Sequence, residues 1–468
     1  MKVRLIDEGE IDGILERDES HFFDFKARET PPAKLQKAVV AFANADGGEL
    51  IVGIADEKEA EGRSRLNGFS DLESMNGILQ SLFELNPPPE LQYEFLKSDG
   101  HFPGYLLLLR VEKGASVYKA ADNTVFVRQG AQSIPIKDPE RIAALGFAKG
   151  AKSFEDAPLD DLPAENIVEA PEMVGFLEHV SPKSDPLEFA LNQNLLEPKS
   201  WRPRVAAALL FSPSPSAFIP RKCGVKITRY TTSEDDPERD HLAEQFTIEG
   251  PMYRAISDTV EKVQEVMNAV EVWTSDGLKG LEYPPEAIWE TIVNAFIHRD
   301  YSISDDIQIL IFDNRMEILS PGTLPGYVTV DNILEARFSR NPKLVRTLAR
   351  YPNAPNKDLG EGLNTTFQKM KEWGFKEPEI GIDGNYVKVT LPHAKLAAPT
   401  AAIMEFLQTE DRITNRQARD ITGIKSENLV KIEFYKLRDE GLIERVPGLA
   451  GPKSAWQLTP EGKIKNEA

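Results

Sequence analysis

The clearest hydrophobic pattern in the chain runs from Pro284 to Tyr301, PPEAIWETIVNAFIHRDY. Two prolines suit the first turn of a helix, where a missing amide proton costs nothing. Ile288, Trp289, Ile292, Val293 and Phe296 fill one helical face. Glu290, Asn294 and His298, four apart, form a polar stripe on another side, without the lysines of a solvated face. The stretch ends in a dense polar knot, His298-Arg299-Asp300-Tyr301.

Ahead of this helix the pattern changes several times. A helix is expected over Thr30–Asn44, with Leu35, Val39, Val40 and Phe42 apolar; Asp46-Gly47-Gly48 then turns the chain into a strand, Glu49–Ile54. A helix over Leu72–Leu85 stops at Asn86 and three prolines. Gln92–Phe95 and Tyr105–Val111 read as paired strands, and Thr124–Arg128 leads into GAQSIPI. Phe154–Glu165 is acidic and proline-bearing, which predicts a linker. Val205–Phe211 and Gly224–Arg229 are expected as strands, Ser233–Asp240 as an exposed loop, and a long helix runs from Pro251 towards Val272.

After the organising helix, Ile307–Phe312 and Met316–Leu319 form a predicted hairpin. Near the C-terminus, helices over Ala401–Thr409, Arg416–Ile421 and Glu427–Glu440 precede strands Gly441–Val446 and Ser454–Leu458, the order of a winged helix. The fold class is therefore α/β and multi-domain. Its units are an α/β domain at 1–150, a linker at 151–165, a second domain at 166–398, and a C-terminal winged helix at 399–468.

Composition narrows the chemistry. The 468 residues suggest roughly three or four domains. A net charge of -20 argues against indiscriminate nucleic-acid binding, leaving room only for a local basic surface. A single cysteine, Cys223, excludes an intramolecular disulfide and a cysteine-built zinc site. No apolar signal core or membrane-length run is present, so the expectation is a cytoplasmic protein with no membrane partner.

The 284–301 stretch and the chain beyond it resemble the C-terminal region of predicted transcriptional regulators related to a RecG-type helicase. That region is a divergent, GHKL-like α/β sandwich of the gyrase, histidine-kinase and MutL ATPase fold. In those ATPases an E-x-x-x-N helix carries a water-activating carboxylate and a magnesium-binding amide, and Glu290 and Asn294 match these positions. Two glycine-bearing segments come next as the resemblance requires, Ser320-Pro321-Gly322 and Asp358-Leu359-Gly360-Glu361-Gly362-Leu363, the second opening a helix whose free amides suit a phosphate. Between them Arg337-Phe338-Ser339-Arg340-Asn341-Pro342 resembles the family's R-N-P lid segment. The resemblance thus implies ATP and Mg2+ or Mn2+ as cofactors, with Glu290 catalytic, Asn294 on the metal, and His298, Gly322, Arg340, Gly360 and Gly362 around the nucleotide. The adenine-reading aspartate of those ATPases is replaced by Ser320 or Pro321. A polar packing network is the alternative for Glu290 and Asn294.

Glu19-Ser20-His21-Phe22-Phe23-Asp24-Phe25-Lys26, Ala43-Asn44-Ala45-Asp46-Gly47-Gly48 and Val52-Gly53-Ile54-Ala55-Asp56 resemble the Schlafen AlbA-type α/β domain. Catalytic Schlafens cut tRNA or rRNA with three acids and divalent metal. Glu19, Asp24 and Asp56 fall at the corresponding places, and Lys26 is positioned for phosphate. Three converging carboxylates repel unless a cation joins them. Solvated strand-end acids are the alternative, and Asp24 stands where glutamate is common.

In the C-terminal module Lys431, Lys436 and Arg438 are candidates to meet nucleic acid, with Lys425 and Lys453 beside them. From residue 400 onward eleven basic side chains face eleven acidic ones, so docking or dimerisation competes with DNA binding. These features together predict a homo-oligomeric, Schlafen-like protein that binds RNA or DNA under control of an ATP-binding-like domain. Its role would be transcriptional or in stress and phage defence. Metal-dependent RNase activity and a ligand-free assembly scaffold are the alternatives.

Overall fold

The run Leu106-Leu107-Leu108-Leu109 is apolar at every position because the N-terminal sheet is covered on both faces. The computed structural model describes residues 3–219, 221–274, 277–356, 362–393, 399–422, 426–447 and 454–460. Its first domain contains β1 (Val3–Ile6), α1 (Glu8–Leu15), β2 (Phe23–Lys26), α2 (Pro32–Asn44), β3 (Gly48–Val52), α3 (Asn76–Phe83), β4 (Leu91–Ser98) and β5 (Leu106–Val111). The sheet order is β1-β4-β5-β3-β2, with β1–β4 and β2–β3 parallel. Leu107 and Leu109 pack with α2 and α3, while Leu106 and Leu108 pack with Ile11 and Ile14 of α1. A hairpin of β6 (Val125–Gln129) and β7 (Gln132–Ile136) lies against α2, and α4 (Pro139–Ala148) leads out of the domain.

The expected linker is instead packed. A 3-10 turn at Phe154–Asp156 buries Glu155 completely, and its carboxylate accepts from Lys343 N at 2.8 Å and Leu344 N at 3.0 Å. Its acidity and its prolines signalled exposure, but the Glu155 carboxyl is used on a helix terminus far along the chain. Short helices come next: α5 (Glu165–Val168), α6 (Pro171–Val180), α7 (Pro186–Asn192), α8 (Val205–Phe211) and α9 (Pro215–Phe218). Thus Val205–Phe211 is a helix, which corrects the strand expectation. All seven residues are buried, so no periodicity distinguishes helix from strand, and the three successive alanines favour helix.

The second domain continues with β8 (Val225–Tyr230), β9 (Leu242–Ile248), α10 (Met252–Asn268), β10 (Glu271–Thr274), β11 (Gly277–Gly280) and α11 (Pro285–Ile297). Then come β12 (Ile307–Ile311), β13 (Arg315–Pro321), α12 (Pro342–Leu348), α13 (Gly362–Glu372), β14 (Glu379–Asp383) and β15 (Tyr386–Pro392). The six-stranded sheet runs β14-β15-β13-β12-β8-β9, and only the β8–β12 pair is parallel. Helices α10, α11 and α13 pack together over it, with Ile288, Ile292, Val293 and Phe296 of α11 buried in the shared core. The long helix stops at Asn268, short of Val272, where the β10–β11 hairpin begins.

The C-terminal module holds α14 (Pro399–Thr409), β16 (Ile413–Thr414), α15 (Asn415–Thr422), α16 (Glu427–Asp439), β17 (Ile443–Arg445) and β18 (Ala455–Leu458). Its antiparallel sheet runs β16-β18-β17, and Phe434 stacks on Trp456 at 5.3 Å. Lys425 and Lys453 lie outside the described residues. Among the described residues no helix is long and apolar enough to cross a membrane.

Candidate functional site

Burying its apolar face turns the polar stripe of α11 into the wall of a cavity of about 870 Å³. Glu290, Asn294 and His298 line it together with Ser320–Leu324 of the β13 end, Arg337–Ser339 and Gly362–Thr365. Asn294 Nδ2 donates to Glu290 Oε1 at 3.3 Å. The first turn of α13 sits on this pair. A Cβ at Gly362 would lie 2.8 Å from Asn294 Nδ2 and closer still to Glu290 Oε1, so any larger residue here displaces the tips of that pair. Gly360 lies outside the described residues. Burial, reinforced by the nearby Arg340 charge, pushes His298 down to about 4, leaving a neutral imidazole in the wall at pH 7.

Ser320 Oγ donates to Ala295 O at 2.8 Å and ties β13 to α11, so no carboxylate occupies that point of the wall. Arg340, expected beside the nucleotide, does not line the cavity. Only 3% exposed, it pairs with Asp300 Oδ2 at 3.0 Å and donates to Ala148 O at 3.0 Å and to Thr323 O. Gly322, at φ +120°, makes room for it: a Cβ there would meet Asp300 Cβ at 2.8 Å as well as the guanidinium. Among the described lining residues the cationic side chain is Arg337, which is exposed.

The polar knot is structural. Asp300 N donates to Pro321 O at 2.8 Å, and fully buried Arg299 donates to Lys222 O at 2.6 Å. Asn341 donates to Ile297 O at 3.0 Å and Arg299 O at 2.8 Å, satisfying carbonyls that the end of α11 leaves open.

In the first domain Glu19 and Asp24 are neighbours, but Asp56 does not join them. Asp24 is 2% exposed and pairs with Arg128 Nη1 at 2.7 Å; that arginine also donates to Ser20 O at 2.8 Å and Phe23 O at 3.1 Å. Lys26 is bound to Asp24 and to Phe25 O at 2.7 Å, and stands 3.6 Å from Glu19. Burial, with the hydrogen bond and charge of Asp24, holds Glu19 above the usual carboxylate range. Asp56 is exposed and accepts from Lys58 N at 3.0 Å, shaping a turn. Among the described residues no group of three or more His, Cys, Asp or Glu is placed to hold a metal ion. The expected Glu19–Asp24–Asp56 metal set is therefore not assembled: Asp56 lies in an exposed turn apart from the other two, and Asp24 is engaged by two cations. The sequence reading missed Arg128, although an arginine ending the alternation Val125-Phe126-Val127-Arg128 was the available signal.

The candidate nucleic-acid cations of α16 are each paired within one turn. Lys431 meets Glu427 at 2.8 Å, Lys436 meets Glu433 at 2.8 Å, and Arg438 meets Asp439 at 2.6 Å. Exposed pairs of this kind are worth little and exchange readily with solvent.

Two family models match this chain. Residues 19–137 match "Schlafen, AlbA_2", and residues 304–391 match "Putative ATP-dependent DNA helicase recG C-terminal". The two matches fall on the first domain and on the β12–β15 part of the second, in agreement with the architecture expected from the sequence. The chain thus carries a Schlafen AlbA_2 domain and a RecG-like ATPase-type domain, and the first of these points to nucleic-acid binding. A crystal structure of the DIP2311 protein from Corynebacterium diphtheriae is similar at 18% identity, covering 98% of this chain and 84% of that one with a TM-score of 0.41. No curated protein matches the chain.

Proposed function

We propose that this protein is a nucleic-acid-binding regulator, transcriptional or in stress and defence, whose second domain binds ATP with a divalent cation in the α11 cavity. The single observation that supports it is the seating of Gly362, at the start of α13, on the Glu290–Asn294 pair at the cavity wall. The donors fit the group. Asn294 uses its amino group on Glu290, leaving a carbonyl oxygen, and a hard cation takes oxygen ligands. A cavity of about 870 Å³ lies within the rough 300–1,000 Å³ range of small-molecule sites. Arg337 supplies a cation for phosphate. With Ser320 in place of a carboxylate, base selectivity is expected to be weak. In calorimetry, Mg-ATP should bind the wild type, and Asn294→Ala should lose at least tenfold. No heat with the wild type would leave a ligand-free scaffold, the alternative in which the fold serves assembly.

Nucleic acid is expected to engage the first domain and the C-terminal module, read as a winged helix, with the protein working as a homo-oligomer. Cleavage of tRNA or structured RNA at Glu19, Asp24 and Asp56 is the weaker reading, since Asp24 is held by Arg128 and Lys26. Incubation of tRNA with protein and manganese should leave it intact.

A further inference from the structure

The roof of the cavity, residues 322–340, is fastened at four points, one to Lys113 of the first domain and three to residues 148–150 at the end of α4. Lys113 Nζ donates to Leu324 O at 3.0 Å while pairing with Asp46 at 3.1 Å. Gly326 N donates to Lys149 O at 2.9 Å. Arg340 donates to Ala148 O at 3.0 Å. The Phe338 ring fills the space beside Gly150, where a Cβ would come within 2.5 Å of it; Gly150 has φ +70°, which glycine alone adopts freely. On the other side, Leu324, Pro325 and Phe338 belong to the cavity wall.

The same anchors hold the end of α2. Buried Lys149 donates through Nζ to Ala43 O at 2.7 Å, and Asp46 also bonds His21 at 3.0 Å. His21 lies on the segment leading into β2, between Glu19 and Asp24. Burial outweighs all else at Lys149, so its amine is fixed by geometry in a place where charge is disfavoured. Backbone carbonyls and packed rings leave the roof few ways to move alone.

We propose that segment 322–340 is a coupling strap: its position over the cavity and the seating of the α2 terminus at residues 43–48 are one mechanical variable. Closure over a ligand shifts Leu324 and Phe338, and Lys113 and Lys149 carry that shift to Ala43, Asp46 and the Glu19–Lys26 segment. Physically this is a two-state element biased from both ends, so the coupling is reciprocal. The idea rests on the cavity's being a nucleotide site only for its ligand, not for the fastening.

The experiment is hydrogen–deuterium exchange on the full chain, with and without Mg-ATP. In the ligand-free arm, Phe338→Ala on the cavity side should speed exchange at residues 43–48 at least tenfold, with β14–β15 unchanged. Lys113→Gln, made on the opposite side, should speed exchange at 324–328 and protects the test should Phe338→Ala not fold. In the ligand arm, Mg-ATP should slow exchange at 43–48 in the wild type, and Lys113→Gln should remove that change while keeping ATP affinity within threefold. Unchanged exchange at 43–48 in folded Phe338→Ala, or at 324–328 in Lys113→Gln, overturns the strap. Coupling in the ligand-free arm with no ATP binding upholds the strap and overturns the nucleotide reading alone.

Discussion

Asp24 sits between Arg128 and Lys26, and removing it exposes what that arrangement costs. Asp24→Ala leaves a guanidinium that is 2% exposed without its counter-charge, a loss on the order of 3–5 kcal/mol in urea unfolding. Asp56→Ala, at an exposed turn, should stay within about 0.5 kcal/mol of wild type. An activity lost in Asp24→Ala would therefore report misfolding first. Gly362→Ala tests the other end of the molecule: its methyl must displace Glu290 or Asn294, so Mg-ATP affinity should fall at least tenfold with only a small change in Tm. His298 offers a pH test. Burial and Arg340 depress it from 6.5 to about 4, so it contributes stability present above 6.5 and lost as pH falls through about 4. The penalty is roughly 3 kcal/mol. His298→Gln should flatten the stability profile over that window, measured by denaturant unfolding at successive pH values.

At the scale of elements, Glu155 shows why the expected linker is a joint. Its carboxylate caps α12 across the sequence, and Glu155→Ala should cost about 1–2 kcal/mol by orphaning two amides. Burial raises Glu155 from 4.5 to about 7, the opposite sense to His298. Its contribution is full below 4.5 and lost as pH rises through about 7, so Glu155→Gln should narrow the difference in Tm between pH 5 and pH 8. The sequence revealed α11 and β12 because each alternates buried with less buried positions, whereas α2 and β13, buried almost throughout, were legible from the prolines that open α2 and from the pairing of β13 with β12. It misled at α8, where burial all round erases the period. It stopped short at Arg340 and Lys26 for a related reason: a basic residue near a glycine loop or an acid has the same letter whether it faces a ligand or clasps a neighbour.

For the whole molecule, charge sets the terms of nucleic-acid contact. With a net charge of -20 and acids interspersed among the α16 cations, the basic surface open to phosphate is small. The salt dependence of binding to a short duplex should accordingly be shallow, with a log–log slope of magnitude below about 4. Fluorescence anisotropy across a salt titration checks it, and a slope of about twice that magnitude would require a larger basic surface than α16 offers.

Local pattern by itself determined the secondary structure of the organising helix and its polar stripe, because periodicity is a property of short segments. Partnership was decided only in three dimensions. Whether Asp24 stood open or paired with Arg128, whether Arg340 lined the cavity or paired with Asp300, and whether residues 151–165 hung free or capped a helix all depended on groups far along the chain, and no local spacing records those.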